Sequence, residues 1–221
     1  MRPLVILRPE PGASKTLRGA EALGLSAKLL PLFRIEPVAW TAPDLAHFDA
    51  LLVTSANAVR HAGPKLKSLR ALPAYAVGAA TAAALRTAGF DVRASGSSGV
   101  DALLADVKPS MRLLHLCGED RHVPNGGRAI TQLVVYRSAP TASPADTDLP
   151  HDAVALVHSP RAGQRLAELV HDRRGIRVAA ISQAAADACG HGWAEVAAAS
   201  QPSDDALLSL GERLCKGPDP Q

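Results

Sequence analysis

The stretch Ala74–Leu104 recurs later in the chain as Val178–Leu208. On one constant shift Val77 falls on Ile181, Thr81 on Ala185, Val92 on Val196, and Asp101-Ala102-Leu103-Leu104 on Asp205-Ala206-Leu207-Leu208. The inner-turn glycines, Gly89 and Gly192, slip by one position. The segment before each copy repeats too: Asp49–Ala58 precedes the first and Asp152–Ala162 the second. A repeat this long is a duplicated domain, not a solenoid module. The copies differ in the polar residues of their turns, and function is to be sought there.

With 221 residues, the chain has room for two small domains. A hydrophobic fraction of 47% supports packed cores, while only 3% aromatics implies layers filled by small and branched aliphatics. No apolar run reaches membrane-spanning length, and Met1–Gly12 has too short an apolar core for a signal peptide. The three cysteines, Cys117, Cys189 and Cys215, lack metal-like spacing, which suggests buried reduced thiols in a cytoplasmic protein. A formal charge of +3 is too small and dispersed for nucleic acid but suits a small polyanion.

Short apolar runs predict buried strands at Pro3–Leu7, Ala27–Leu30, Asp49–Val53, Ala74–Val77, Asp91–Arg93, Leu113–Leu116, Ile130–Tyr136, Val154–Val157, Val178–Ile181 and Glu195–Ala197. Helices are expected at Ser14–Leu23, Ala56–Lys67, Ala79–Ala88, Val100–Val107 (capped by Ser97 or Ser98), Arg161–His171, Ala184–Cys189 and Asp204–Leu214. The proline in Leu32–Trp40 suits an edge or connecting strand, and the tail from Lys216 is expected to fray. This alternation implies parallel sheets with helices on both faces. The opening strand and helix have no counterpart directly before the second copy. They are therefore expected to complete the C-terminal sheet, which makes the middle domain an insertion. The division expected is residues 1–33 plus 139–221, an inserted domain at 41–129, and linker strands at 34–40 and 130–138.

In open α/β sheets ligands bind at the carboxyl ends of strands, where helix N-termini present free amides. The residues expected there are Thr54, Ser55, Ala56, Asn57, Gly78 and Thr81 in the middle domain. Ser159, Pro160, Arg161, Ser182 and Gln183 hold the matching turns of the other copy, with Arg8, Gly118 and Arg121 on the same rim. Lining one cleft, they suit several carboxylates or phosphates; plain helix capping is the alternative for each. Tyr136, one of two tyrosines, lies at the expected crossing between domains, where its hydroxyl can donate a proton or its ring can pack the linker. GxGxxG and GxxxxGK[ST] are absent, the eight histidines lack ligand spacing, and no nucleophile elbow surrounds Ser159.

Arg8-Pro9 after the first strand, DALLVTSANAV, AVGAATAAALRTAGF, the turn Gly118-Glu119-Asp120-Arg121, Val135-Tyr136 and the closing Pro202–Leu208 occur in an order and spacing that resembles the uroporphyrinogen-III synthase family almost end to end. The resemblance implies two flavodoxin-like α/β domains joined by a two-stranded linker. It implies a lyase of haem biosynthesis that closes hydroxymethylbilane, a linear tetrapyrrole octacarboxylate, into uroporphyrinogen III. That reaction loses water, inverts ring D and needs no cofactor or metal. It further implies Tyr136 as proton donor in a cytoplasmic monomer with no nucleic-acid or membrane partner. The alternative is a non-catalytic two-domain binder or sensor of an anionic metabolite. Two departures stand out. Ser182-Gln183-Ala184-Ala185 replaces the threonine many relatives carry, and Gly118–Gly127 is short and broken by Pro124. Thr81 is thus expected to matter, and a hydroxyl at Ala185 to be tolerated.

Overall fold

The computed structural model describes residues 1–96, 99–120, 128–141 and 149–217. The chain divides into two compact units, Met1–Arg34 with Pro140–Gln221 and, within that interruption, Ile35–Ala139.

The first unit holds β1 (Leu4–Ile6), α1 (Gly12–Ala22), β2 (Ala27–Leu29), β9 (Val154–Val157), α5 (Pro160–Leu169), β10 (Arg177–Ala180), α6 (Gln183–Asp187), β11 (Glu195–Ala198) and α7 (Asp204–Lys216). Its sheet runs β11-β10-β9-β1-β2, parallel throughout. Strands β1, β9 and β10 are buried at every residue, the pattern of strands covered on both faces. Alternation sorts them: Val5, Ala155, Val157, Val178 and Ala180 pack with Leu166, Leu169 and Ala185 of α5 and α6. Leu4, Ile6, Val154, Leu156 and Ala179 pack with Ala20 of α1 and Leu207, Leu210 and Leu214 of α7.

The second unit holds β4 (Ala50–Val53), α2 (Ala56–His61), β5 (Ala74–Val77), α3 (Ala79–Thr87), β6 (Val92–Gly96), α4 (Val100–Ala105) and β7 (Leu113–Gly118). Strands β3 (Phe33–Pro37) and β8 (Ile130–Pro140) join its sheet, ordered β3-β8-β7-β4-β5-β6. From β8 to β6 the pairing is parallel. The Val38 N–H donates to the Val135 carbonyl at 2.9 Å and the Thr141 N–H to the Leu32 carbonyl at 3.0 Å. One strand's numbers fall as the other's rise, so β3 lies antiparallel to β8. Leu51, Val53, Ala74 and Leu114 pack with α2 and α3; Ala50, Leu52 and Leu113 pack with Leu103 and Leu104 of α4.

In each sheet the winding reverses at one place, between β1 and β9 in the first and between β4 and β7 in the second. Such reversals leave a gap between the connections at the strands' carboxyl ends, which is where doubly wound sheets bind ligands.

The expected helix Ala56–Lys67 is two pieces. It stops at His61, Gly63 turns at φ 70°, and a 3-10 turn runs Pro64–Leu69. Pro64 lacks an N–H and disfavours helical geometry in the residue before it. Strand β6 forms later than expected, at Val92–Gly96, and α7 extends to Lys216. Ser97 and Ser98, the expected caps of α4, lie outside the described residues; the N-cap position is Gly99, at φ 96°.

Candidate functional site

Where the first sheet reverses, Arg8 follows β1 and His158 follows β9, and both reach Asp204, the first residue of α7. Arg8 Nη1 donates to Asp204 Oδ1 at 3.2 Å, and His158 Nε2 lies 3.1 Å from the same oxygen. Thr16 Oγ1 of α1 lies 3.0 Å from both Asp204 oxygens and 3.1 Å from the Gly12 carbonyl. The carboxylate also gains from its place in the first turn of α7, where the helix dipole favours negative charge.

The His158 side chain is only 7% exposed. Burial, with the Arg8 charge second, pushes its pKa down to about 4 against the pull of Asp204. The ring is therefore neutral near pH 7. A carboxylate oxygen can only accept, so Nε2 carries the proton and Nδ1 keeps its lone pair. Nδ1 is buried and meets no partner at hydrogen-bonding geometry among the described residues, so the nearby Leu156 carbonyl adds little for the charged ring.

In the second sheet Thr54 follows β4, and its hydroxyl lies 3.0 Å from Nε2 of His115, a fully buried residue of β7. Next along, Gly78 occupies the N-cap of α3 at φ 84°, with no side chain capping the helix, and Thr81 in its first turn is 4% exposed. On the other side β7 ends at Gly118, opposite Tyr136 of β8 at an irregularity in the register. A Cβ on Gly118 would lie 2.5 Å from Tyr136 Cζ and 2.9 Å from its hydroxyl. The bare glycine thus makes room for the tyrosine ring. The half-buried Tyr136 packs against the core, with the His61 ring 6.3 Å away, centre to centre. Burial, then the charge of Arg60, lowers the His61 pKa.

The remaining candidates do local work. Ser55, Ser159 and Ser182 each occupy an N-cap and accept from Asn57, Ala162 and Ala185 N–H respectively, which is the capping reading of these hydroxyls. Ala56 and Pro160 open α2 and α5. Asn57 Oδ1 accepts from Arg60, Gln183 Nε2 donates to Asp187, and the Arg161 guanidinium lies 4.5 Å over the Phe33 ring. Arg121 lies outside the described residues.

The place expected to tolerate a hydroxyl, Ala185, is fully buried in the core beside Ala162 and Leu166 of α5. A hydroxyl there would be buried, and left without a partner it would cost about 1–3 kcal/mol.

Sequence reasoning missed Thr16, Asp204, His115 and His61; His158 is legible only as part of the polar turn His158-Ser159-Pro160-Arg161, with no role of its own. Asp204 sits in the repeated tail motif, but its partners Arg8 and Thr16 lie 196 and 188 residues away, so no spacing links them.

The model of the family described as uroporphyrinogen-III synthase HemD matches residues 14–209. The chain belongs to this family. A uroporphyrinogen-III synthase of Chlorobaculum parvum is 32% identical over 121 residues, 50% of this chain and 49% of that protein. The matched segment thus spans about half the length of that curated relative. Among solved structures, the uroporphyrinogen-III synthetase of Helicobacter pylori is similar with a TM-score of 0.69 and 21% identity, over 97% of this chain and 100% of that one. A mutant uroporphyrinogen III synthase of Thermus thermophilus gives 0.55 and 18%, over 97% and 98%. Both share the parallel-sheet α/β fold.

Proposed function

We propose that the chain closes hydroxymethylbilane into uroporphyrinogen III, with loss of water and inversion of ring D. The observation that carries the reading is the family match, which spans residues 14–209 and so takes in the reversal of the second sheet and the β9 side of the first. Each sheet fits a flavodoxin-like domain: counted from β1, the first has the order 2-1-3-4-5, and the second has it too when β7 and β8 are counted first. Strands β3 and β8 are then the linker.

The substrate's carboxylates call for cations and amide or hydroxyl donors, which Arg8, Thr54, Thr81 and the α3 N-terminus offer. Reaction starts with protonation of the terminal hydroxyl and departure of water, leaving an electrophilic azafulvene. Tyr136, beside Gly118 at a strand end, is the acid we assign to that step. Ring D attacks through its substituted carbon, the spirocyclic intermediate fragments, and the freed ring recloses the other way round. The enzyme's main contribution is to hold the chain so that this closure outruns the spontaneous, uninverted one.

No helix among the described residues is long and apolar enough to cross a membrane. Cys117, Cys189 and Cys215 are buried thiols outside any disulfide, and burial raises the latter two to about 11. Unreactive thiols of this kind suit a reducing compartment, so we place the enzyme in the cytoplasm, as a monomer. Fresh hydroxymethylbilane with and without protein, followed by oxidation and separation of the porphyrin isomers, tests the reading. Type III isomer formed faster than the blank supports it; type I alone at the blank rate leaves the anionic-metabolite binder.

A further inference from the structure

The cluster around Asp204 holds a histidine where the other copy of the repeat has Thr54. Arg8 bonds, among the described residues, only through Nη1, to Asp204 at 3.2 Å and weakly to Thr16 at 3.5 Å. The Nε–Nη2 edge, the one that forks a carboxylate with two parallel bonds, makes no hydrogen bond to a described residue. A Cβ on Gly12 would lie within 2.6 Å of Nε, Cζ and Nη2, so only a glycine can open α1 this close to the guanidinium. The Arg8 side chain is 31% exposed, whereas Asp204 is 13% exposed.

We propose that His158 is a positioning residue, acting through Asp204 to hold Arg8 with its Nε–Nη2 edge open to a substrate carboxylate. This rests on the synthase reading for the identity of the carboxylate. Left alone, an arginine and a buried aspartate form a bidentate fork and satisfy each other. Here His158 and Thr16 occupy Asp204 first. Oδ1 faces His158 Nε2 at 3.1 Å, and Thr16 Oγ1 lies between the two oxygens, 3.0 Å from each. With these donors in place Asp204 takes a single bond from Arg8, at 3.2 Å, and the guanidinium is anchored without being used up. The neutral ring matters as well. It donates one hydrogen bond without adding a positive charge that would compete with Arg8 for the carboxylate.

Three variants separate this from mere packing. His158→Gln keeps an N–H donor at reach, His158→Leu fills the space without one, and His158→Thr installs the residue of the other copy should the leucine variant not fold. In nitrogen-edited spectra of the full chain, the Arg8 Nε–H is expected to exchange fast with water in wild type and His158→Gln. In His158→Leu or His158→Thr it should become protected and shift downfield as Asp204 forks onto it. The same exchange in all forms overturns the proposal. With hydroxymethylbilane, KM should rise about tenfold in His158→Leu with kcat unchanged within about twofold. That rise should vanish in an Arg8→Gln background. A full KM effect without Arg8, or none in its presence, also overturns it. A wild type that yields only type I isomer sinks the synthase reading instead, and the Nε–H comparison still decides the positioning.

Discussion

At the scale of single residues, two atoms' worth of space decide much. Gly118 does not need a glycine's backbone; it needs the absence of a Cβ, because the Tyr136 ring fills that place. Gly118→Ala should therefore displace the ring and lower kcat at least as far as Tyr136→Phe, for which roughly tenfold or more is expected of a lost general acid. The double variant should be no worse than the poorer single one; additive losses would separate the two residues. His158 has a different signature. Well above pH 6.5 its ring is neutral whether the chain is folded or not, so it contributes no slope there. As pH falls from 6.5 towards about 4, the unfolded chain binds a proton that the folded one refuses, and stability drops by about 3 kcal/mol. Urea midpoints at pH 7 and pH 4.5 should therefore diverge more in wild type than in His158→Gln. Equal losses would mean that the ring is not held neutral.

At the scale of elements, close contacts between helices and strands rank the glycines. A Cβ on Gly163 in α5 would lie 2.8 Å from the Ala185 carbonyl and 2.9 Å from the Cys189 sulfur, both fixed in or beside α6. A Cβ on Gly211 in α7 would meet only leucine methyls, of Leu4 and Leu156, each at 3.1 Å. Alanine favours a helix by up to about 1 kcal/mol over glycine at either place. Overpacking against backbone costs about 1–3 kcal/mol and should win at Gly163, lowering Tm by several degrees. Gly211→Ala should be near neutral, and thermal melts of the two variants side by side will show whether rigidity of the neighbour decides. Elements were also the most legible part of the sequence. Runs such as Leu51-Leu52-Val53 and Val154–Val157 are apolar throughout because both faces are covered, and no other element tolerates that pattern at so short a length. The break at Gly63-Pro64 was written in two letters and overlooked, because the apolar pattern runs on through Leu66 and Leu69. The Asp204 cluster was illegible for another reason: it is assembled from four elements whose only common feature is where their ends fall.

At the scale of the whole molecule, the sequence repeat and the strand order describe one event differently. Strands β9-β10-β11 match β4-β5-β6, but the first unit takes its remaining strands, β1 and β2, from before the insertion, whereas β7 and β8 follow β6. The first unit is consequently interrupted, and its two segments meet where the Thr141 N–H bonds to the Leu32 carbonyl. Neighbouring strands there stand only about 5 Å apart. Replacing residues 35–139 by Asn-Gly should close them with a short hairpin loop. The shortened chain keeps both of its core layers, the one around Val157 and Leu166 and the one around Ile6 and Leu210. It should melt cooperatively, with a near-UV signal from Trp193, which is buried and donates to the Cys189 carbonyl at 3.0 Å. Having lost Thr54, Thr81 and Tyr136, it should give type I isomer only, at the rate of the blank. A shortened chain without a cooperative transition would mean that the interrupted unit cannot hold its own core. One that still forms type III isomer would move the chemistry onto Arg8, His158 and their neighbours alone.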